Sequence, residues 1–491
     1  MRGRLRRRGR VRRLIARGRR VRRRARLSKA RRIRRRGRIA AVVVCVAFCG
    51  VLFLPTGTTA ERDPRWNFIV IVTDDQSVDS IPHDPPVMPY LQGASGDPND
   101  HWVVFRNGFV NTPLCCPSRA TMLTGLLTHN HGVLTNDHGR ALDETSTMAA
   151  WLQEAGYHTG LVGKYLNQYP FGRQPFVPRG WDRWWGKEQG PISNLYYDVT
   201  LIQQGIATHY GRAHEHYATD VYAEKAVEFI AEAPLERPFL LWFAPTAPHP
   251  PWVAAPRHEG VYDDMPVVPP PSVGERNVSD KPAWIRALPR LGSAERAGLL
   301  DQRRRSFETL VAVDDAVREI VEALQARGDL DHTVIVYLSD NSYSFGEHRW
   351  IKKSCAYDAC VHVPFLIRHP LAERHVVDQP VSAVDVAPTI AALAGLEPPV
   401  ALDGANLAPV LTDPSARLPG RAFAEWVGDE HVPGWWLLRT QRFAYVELVT
   451  GERELYDLQL DPHQMWNVVE DPAYGPALAR LEPVLDELRV S

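Results

Sequence analysis

Phe68-Ile69-Val70-Ile71-Val72-Thr73-Asp74-Asp75 is an apolar run as long as one strand, closed by two adjacent carboxylates. A strand without polar alternation belongs in a parallel sheet covered by helices on both faces. The pattern returns at Thr333-Val334-Ile335-Val336-Tyr337-Leu338, which runs into Asp340-Asn341. Tyr157 to Val162 and Phe239 to Phe243 are further strand candidates, and Thr147 to Glu154 and Tyr222 to Ala231 have helical character. Alternating strands and helices imply an α/β sandwich with a mostly parallel sheet. Ligands of such sheets gather beyond the carboxyl ends of the strands, so the two acidic tips are expected to converge on one site.

Further out, Phe307, Leu310, Val311, Val317, Ile320 and Val321 form a packing stripe on a helix expected over 303–324. The Pro-rich stretch 248–271 reads as a long surface loop over the mouth of the site, a suitable place for substrate choice. A helix after Asp385-Val386-Ala387-Pro388-Thr389 closes the main domain near Ala394. From about Leu418 the style changes. Short strands at Trp435–Leu438, Phe443–Leu448 and Glu454–Asp457, a turn at Thr450-Gly451 and a helix over 474–488 predict a small antiparallel subdomain. The division expected is 1–60 as an Arg-rich head with an export segment, 61–415 as the catalytic domain and 416–491 as the C-terminal subdomain.

The chain has 491 residues, 44% of them hydrophobic, an ordinary globular balance. Its net charge of +1 hides an asymmetry: residues 1–38 carry 22 of the 58 Lys and Arg and no acid, leaving 36 basic against 57 acidic residues, a net of −21. The basic head runs straight into the apolar stretch from Ile39 to Leu54, followed by Thr58-Thr59-Ala60. That order fits an export signal cut after Ala60, or an uncleaved anchor with a basic tail. The protein is therefore expected to be secreted or held on the outer face of the membrane, with membrane contact only if the segment stays uncut, and with no nucleic-acid partner. Six cysteines are too few for a disulfide framework, and the spacing of Cys355 and Cys360 leaves their state open.

Cys115-Cys116-Pro117-Ser118-Arg119-Ala120-Thr121-Met122-Leu123 carries the chemistry. Pro117 suits the first turn of a helix and the following residues propagate one, so Cys115 is expected at a helix N-terminus. There unpaired N–H groups and the helix dipole favour a thiolate or a bound oxyanion, and Arg119 adds a fixed positive charge. Asp74, Asp75, Asp340 and Asn341 offer only oxygen, a hard donor set that suits Ca2+ first and Mg2+ second. Acidic residues at strand ends also cap helices, which is the plainer reading of either pair alone.

The segment resembles the sulfatase signature Cys-x-Pro-Ser-Arg, with Cys115 at the modified position and Cys116 at the variable one. That resemblance implies an alkaline-phosphatase-like α/β fold. It also implies oxidation of Cys115 to Cα-formylglycine by a maturation enzyme, and attack of the aldehyde hydrate on the sulfur of a sulfate ester. The second hydroxyl of the hydrate then expels sulfate. It assigns Asp74, Asp75, Asp340, Asn341 and the modified Cys115 to the metal. It further assigns Arg119, Lys164 in Gly163-Lys164-Tyr165, His249 in Pro248-His249-Pro250 and Lys353 in Lys352-Lys353-Ser354 to sulfate binding and leaving-group protonation, with His249 as the general acid. Asn277-Val278-Ser279-Asp280-Lys281-Pro282 and Leu455-Tyr456-Asp457-Leu458 also resemble sulfatase segments. The style is nearest the N-acetylglucosamine-6-sulfatase and extracellular heparan-sulfatase branch, so the substrate expected is a sulfated carbohydrate or small molecule. Two departures stand out. Leu166 occupies a position where many sulfatases have histidine, with Asn167 beside it, and Ser342-Tyr343-Ser344 replaces a common Gly-Tyr-His, with His348 nearby. A phosphonate or phosphate ester hydrolase of the wider superfamily and a non-catalytic glycan-binding protein are the alternatives.

Overall fold

The computed structural model describes residues 62–491, apart from Pro82, Asp84, Pro98 and Asn99. The Arg-rich head and export segment expected over 1–60 lie outside the described residues.

Ten strands form the main sheet: β1 (Asn67–Thr73), β2 (Trp102–Phe105), β3 (His158–Gly163), β4 (Arg183–Lys187), β5 (Val199–Gln203), β6 (Ile206–Tyr210), β7 (Phe239–Ala244), β8 (Thr333–Ser339), β9 (Phe365–Arg368) and β10 (His375–Val377). Their order is β10-β2-β9-β8-β1-β7-β3-β4-β5-β6. The central five, β8 to β4 in that order, are paired in parallel. Only β5 and β9 run against the rest. The sheet is thus the large, mostly parallel one that the apolar runs predict.

Alternation along each central strand feeds two cores. Phe68, Val70 and Val72 join Val334, Val336 and Leu338 on one face, and Ile69 and Ile71 join Ile335 and Tyr337 on the other. Burying one such side chain contributes roughly 1.5–3 kcal/mol, which is why these strands carry almost no polar residue. Helices Cys115–Thr124, Met148–Glu154 and Val386–Ala394 cover the first face. Ala218–Glu232 and Ser293–Arg327 cover the second.

Several details differ from expectation. The helix expected over 303–324 begins at Ser293, where Glu295 Oε2 accepts the Gly292 N–H at 3.3 Å. Its first turns are mostly exposed and show no stripe, so periodicity cannot reveal them. The C-terminal sheet has a fourth strand, Arg421–Trp426, ahead of Trp435–Thr440, Phe443–Leu448 and Arg453–Asp457, and the four pair in sequence order as a meander. One face packs on the helix Gly475–Leu488 through Tyr445, Leu455, Leu481 and Leu485. The other packs through Ala444, Val446 and Tyr456 on Tyr357, Val361 and the disulfide joining Cys355 to Cys360.

A buried carboxyl sits in that second interface. Glu454 Oε1 accepts from the Tyr357 hydroxyl at 2.8 Å and from the Tyr456 hydroxyl at 2.5 Å. Burial outweighs these hydrogen bonds and pushes Glu454 up to about 7. Below the ordinary value of 4.5 the group is protonated in both folded and unfolded chains. Between 4.5 and 7 the folded form binds the proton more tightly, so stability is lost as pH rises through that window, by roughly 3 kcal/mol in total. Glu454→Gln keeps the acceptor and removes the ionisation. Its unfolding free energy, measured in denaturant from pH 5 to 8, is expected to rise relative to wild type as pH increases; parallel curves for the two proteins would exclude this account.

Candidate active site

β1 and β8 lie side by side, so their carboxyl ends bring Asp74 and Asp75 against Asp340 and Asn341. The Asp340 N–H donates to Thr73 O at 3.0 Å, and the Asp75 N–H to Asp340 Oδ1 at 3.2 Å. Asp75 adopts φ 72°, uncommon for a residue with a side chain, and Asn341 Nδ2 donates to its Oδ1 at 2.7 Å. All four side chains are buried.

Cys115 opens a wholly buried ten-residue helix, as its proline predicts. Its Sγ donates to Asp74 Oδ1 at 3.4 Å and accepts from Lys353 Nζ at 2.9 Å. Lys353 also lies 2.5 Å from Asp75 Oδ1, whereas Lys352 is exposed. Lys164 Nζ donates to Asp74 Oδ2 at 2.7 Å. The Arg119 guanidinium is fully buried; its Nε donates to Asp340 Oδ2 at 2.7 Å and a terminal nitrogen donates to Lys164 O at 2.8 Å. His249 donates from Nδ1 to Pro250 O at 2.7 Å, since a carbonyl can only accept, and this fixes the tautomer. Its Nε2 lies 3.7 Å from Asp75 Oδ2. Every residue singled out in the sequence as catalytic or metal-binding therefore reaches one place.

The charges settle unequally. Burial disfavours the Asp74 carboxylate, but Lys164, His249, Arg119 and Lys353 together outweigh it and lower its pKa. Burial and the neighbouring Asp74 raise Asp340 against the pull of Arg119 and Lys164. Of the two anions a helix N-terminus favours, a thiolate or a bound oxyanion, Cys115 is not the first: burial, then Asp74, push the thiol up to about 12 despite Lys164 and Lys353. The dipole of one helix end is smaller than the desolvation of a sulfur with 1% exposure.

Two buried oxygens, Asp75 Oδ2 and Asn341 Oδ1, have no hydrogen-bond partner. Leaving such an acceptor unmatched costs about 1–3 kcal/mol, and a hard cation answers both. Ligating atoms of Asp74, Asp75, Cys115 and His249 lie within 4.8 Å of one another. The donor set therefore fits an oxygen-seeking divalent ion.

A cavity of about 160 Å³ is lined by Asp74, Lys164, Leu166, Asn167, Lys187 and His249. Leu166 is buried in the core, while Asn167 Oδ1 is buried without a partner. His348 turns away from this cavity and pairs with Glu275 at 2.7 Å. Lys187 was not anticipated. The one clue was the repetition of Val162-Gly163-Lys164 as Trp185-Gly186-Lys187.

Residues 66–396 match the family described as Sulfatase, and residues 346–491 that described as N-sulphoglucosamine sulphohydrolase, C-terminal. An arylsulfatase of Volvox carteri is 32% identical over 513 residues, covering 91% of this chain and 77% of that protein. The N-acetylglucosamine-6-sulfatase of Homo sapiens is 31% identical over 364 residues, covering 71% of this chain and 64% of that protein. A solved structure in complex with its substrate D-glucosamine-2-N,6-O-disulfate superposes with a TM-score of 0.74 at 25% identity, covering 86% of this chain and 97% of that one.

Proposed function

This chain belongs to the sulfatase family of sulfuric ester hydrolases, and on that premise we propose that it hydrolyses the 6-O-sulfate ester of a sulfated glucosamine saccharide. The observation that carries the reading is the position of Cys115, whose Sγ faces Lys353 Nζ at 2.9 Å and Asp74 Oδ1 at 3.4 Å, Asp74 in turn lining the cavity. Oxidation to Cα-formylglycine by a maturation enzyme would place oxygens on the same Cβ. A hydroxyl there accepts from the lysine and donates to the carboxylate, as the thiol does. Ca2+ is the ion we assign to Asp74, Asp75, Asp340 and Asn341, with the modified residue 115 completing the set.

The aldehyde hydrate supplies an oxygen nucleophile, and the cation supplies charge neutralisation at the transferring group. Lys164 and Lys353 bring ammonium groups to the oxygens of the ester sulfate, where negative charge is held as the S–O bond to the sugar breaks. His249, its Nδ1–H fixed on Pro250 O, presents Nε2 to the leaving oxygen; in its imidazolium form, with a second proton on Nε2, it gives that proton to the oxygen, the sugar departs as an alcohol and the ring is left neutral. Arg119 is a positioning residue. Its Nε and one terminal nitrogen are taken by the Asp340 carboxylate and the Lys164 backbone, which it holds in register, in place of the direct sulfate contact that the resemblance assigns it. Overall, water supplies the oxygen that sulfate gains and the proton that the alcohol gains, and its second proton leaves with the sulfate.

The extracellular setting expected from the N-terminal segment fits this role, and no helix among the described residues is long and apolar enough to cross a membrane. The test is sulfate release from N-acetylglucosamine-6-sulfate by protein purified from its own host, with the mass at residue 115 read on the same sample. Turnover with an aldehyde or its hydrate at 115 is expected. Active protein with an unmodified thiol would refute the nucleophile, and faster cleavage of a matched phosphate ester would favour the phosphoester alternative.

A further inference from the structure

Lys187 is a buried cation that the chemistry above does not use. It ends β4, and the parallel pairing of β3 with β4 sets Gly163 opposite Gly186, so Lys164 and Lys187 follow at neighbouring strand tips. A Cβ at Gly163, which has φ 99°, would overlap the Ala244 carbonyl oxygen, so the chain turns toward Lys164 at a place where only glycine fits.

The two lysines then differ. Lys164 has Asp74 as its counter-ion at 2.7 Å. Lys187, with 9% exposure, has no carboxylate within ion-pair distance among the described residues; its Nζ donates to the backbone carbonyl of Glu188 at 3.0 Å. Burial and the like charge of Lys164 pull it down to about 8, so it still carries its proton at neutral pH. An ammonium with one neutral partner in a desolvated place is destabilised unless an anion joins it. Among the described residues no carboxylate pairs with it; Asp74 and Glu188 attract it only from beyond ion-pair distance.

Lys187 lines the same cavity as Asp74, Lys164 and His249, together with Gln189, Gly190 and Ile192. It makes no hydrogen bond or ion pair with Cys115 or Asp74, whose partners are Lys353 and Lys164. An anion seated on it would thus meet a cation that neither Cys115 nor Asp74 engages directly. We propose that Lys187 forms a second oxyanion subsite, selecting saccharides that carry a further anionic substituent, an N-sulfate or a uronate carboxylate, beside the sulfate ester being cleaved. This deepens the sulfatase reading and rests on it.

The experiment compares kcat/KM on glucosamine-2-N,6-O-disulfate and on N-acetylglucosamine-6-sulfate, which share the reacting ester and differ in the charge on nitrogen. A 6-sulfated disaccharide bearing a uronate forms a second arm that separates the two anion sources. Wild type is expected to prefer at least one doubly anionic substrate. Lys187→Met is expected to lower that preference ratio about 30-fold, the scale of one charge-assisted hydrogen bond, with Lys187→Arg recovering part of it. The same ligands titrated onto the Cys115→Ala protein give a ratio of Kd values that needs no turnover. Circular dichroism confirms that each variant is folded, and if Lys187→Met is not, Lys187→Arg and Lys187→Gln replace it.

Equal losses on all substrates in Lys187→Met, leaving the ratio intact, overturn the subsite and assign the lysine to the ester group itself or to folding. An absence of any preference in wild type overturns it too. Cleavage with an unaltered ratio leaves the sulfatase reading standing alone. Discrimination in binding that Lys187→Met abolishes, with no cleavage of any ester, sustains the subsite and removes the sulfatase reading.

Discussion

Replacing Cys115 by alanine is expected to cut turnover to below about one ten-thousandth of wild type while the fold survives. The side chain lost is one sulfur in a helix whose remaining residues stay buried, so the stability cost is on the order of 1–2 kcal/mol, too small to unfold a core of this size. What disappears is the atom between Lys353 Nζ and Asp74 Oδ1. No neighbour substitutes for it: Ser118 lies on the same helix but its hydroxyl is buried and unpartnered, and Cys116 packs in the core on the other side. Sulfate release and a thermal melt on the same preparation check this. Residual turnover within a hundredfold of wild type, with a normal melt, would remove residue 115 from the chemistry.

Stripping divalent ions with EGTA is expected to lower activity by at least about a thousandfold and to lower Tm, both recovered by Ca2+ and less fully by Mg2+. Three carboxylates, Asp74, Asp75 and Asp340, share one buried place with three cations, Arg119, Lys164 and Lys353. The protein's own cations already offset the acids, which explains how the fold tolerates them. They do not satisfy Asp75 Oδ2 and Asn341 Oδ1. A ligand that binds only the folded chain adds stability by mass action, so the fall in Tm reports site occupancy independently of turnover. Metal analysis of the dialysed protein closes the test; full activity in demonstrably metal-free protein would rule out a cation at this position.

The central strands were legible because burial on both faces removes alternation and leaves unbroken apolar runs such as Phe68 to Val72. Other strands gave no such signal. Ile206–Tyr210 is largely exposed and mixes polar with apolar residues, and Phe365–Arg368 and His375–Val377 are only a few residues long. Asp74, Asp75, Asp340 and Asn341 could be placed together because parallel strands end on the same side. The position of Cys115 followed from Pro117. Lys164, His249 and Lys353 sit in loops, where spacing carries no geometric information, and only the resemblance of their segments drew attention to them. Lys187 escaped because what sets it apart is that no carboxylate among the described residues pairs with it, a property of three-dimensional surroundings. The Cys355–Cys360 bond was equally invisible, since a gap of five fits bonded and free thiols alike.

The pairing of β1 with β8 has a kinetic consequence. Asp75 and Asn341 are 266 positions apart, and Cys115 and Lys353 are 238 apart. Closing loops of that length is entropically costly and comes late, so such a sheet forms slowly and the site has no nucleus of its own. During synthesis the first two carboxylates and the cysteine emerge well before their partners exist. A chain halted short of Lys353 thus holds an accessible thiol and no assembled site, and on the proposed formylglycine reading the interval before closure is the period in which a modifying enzyme would reach Cys115. Activity in this protein is accordingly a report that folding has run to completion.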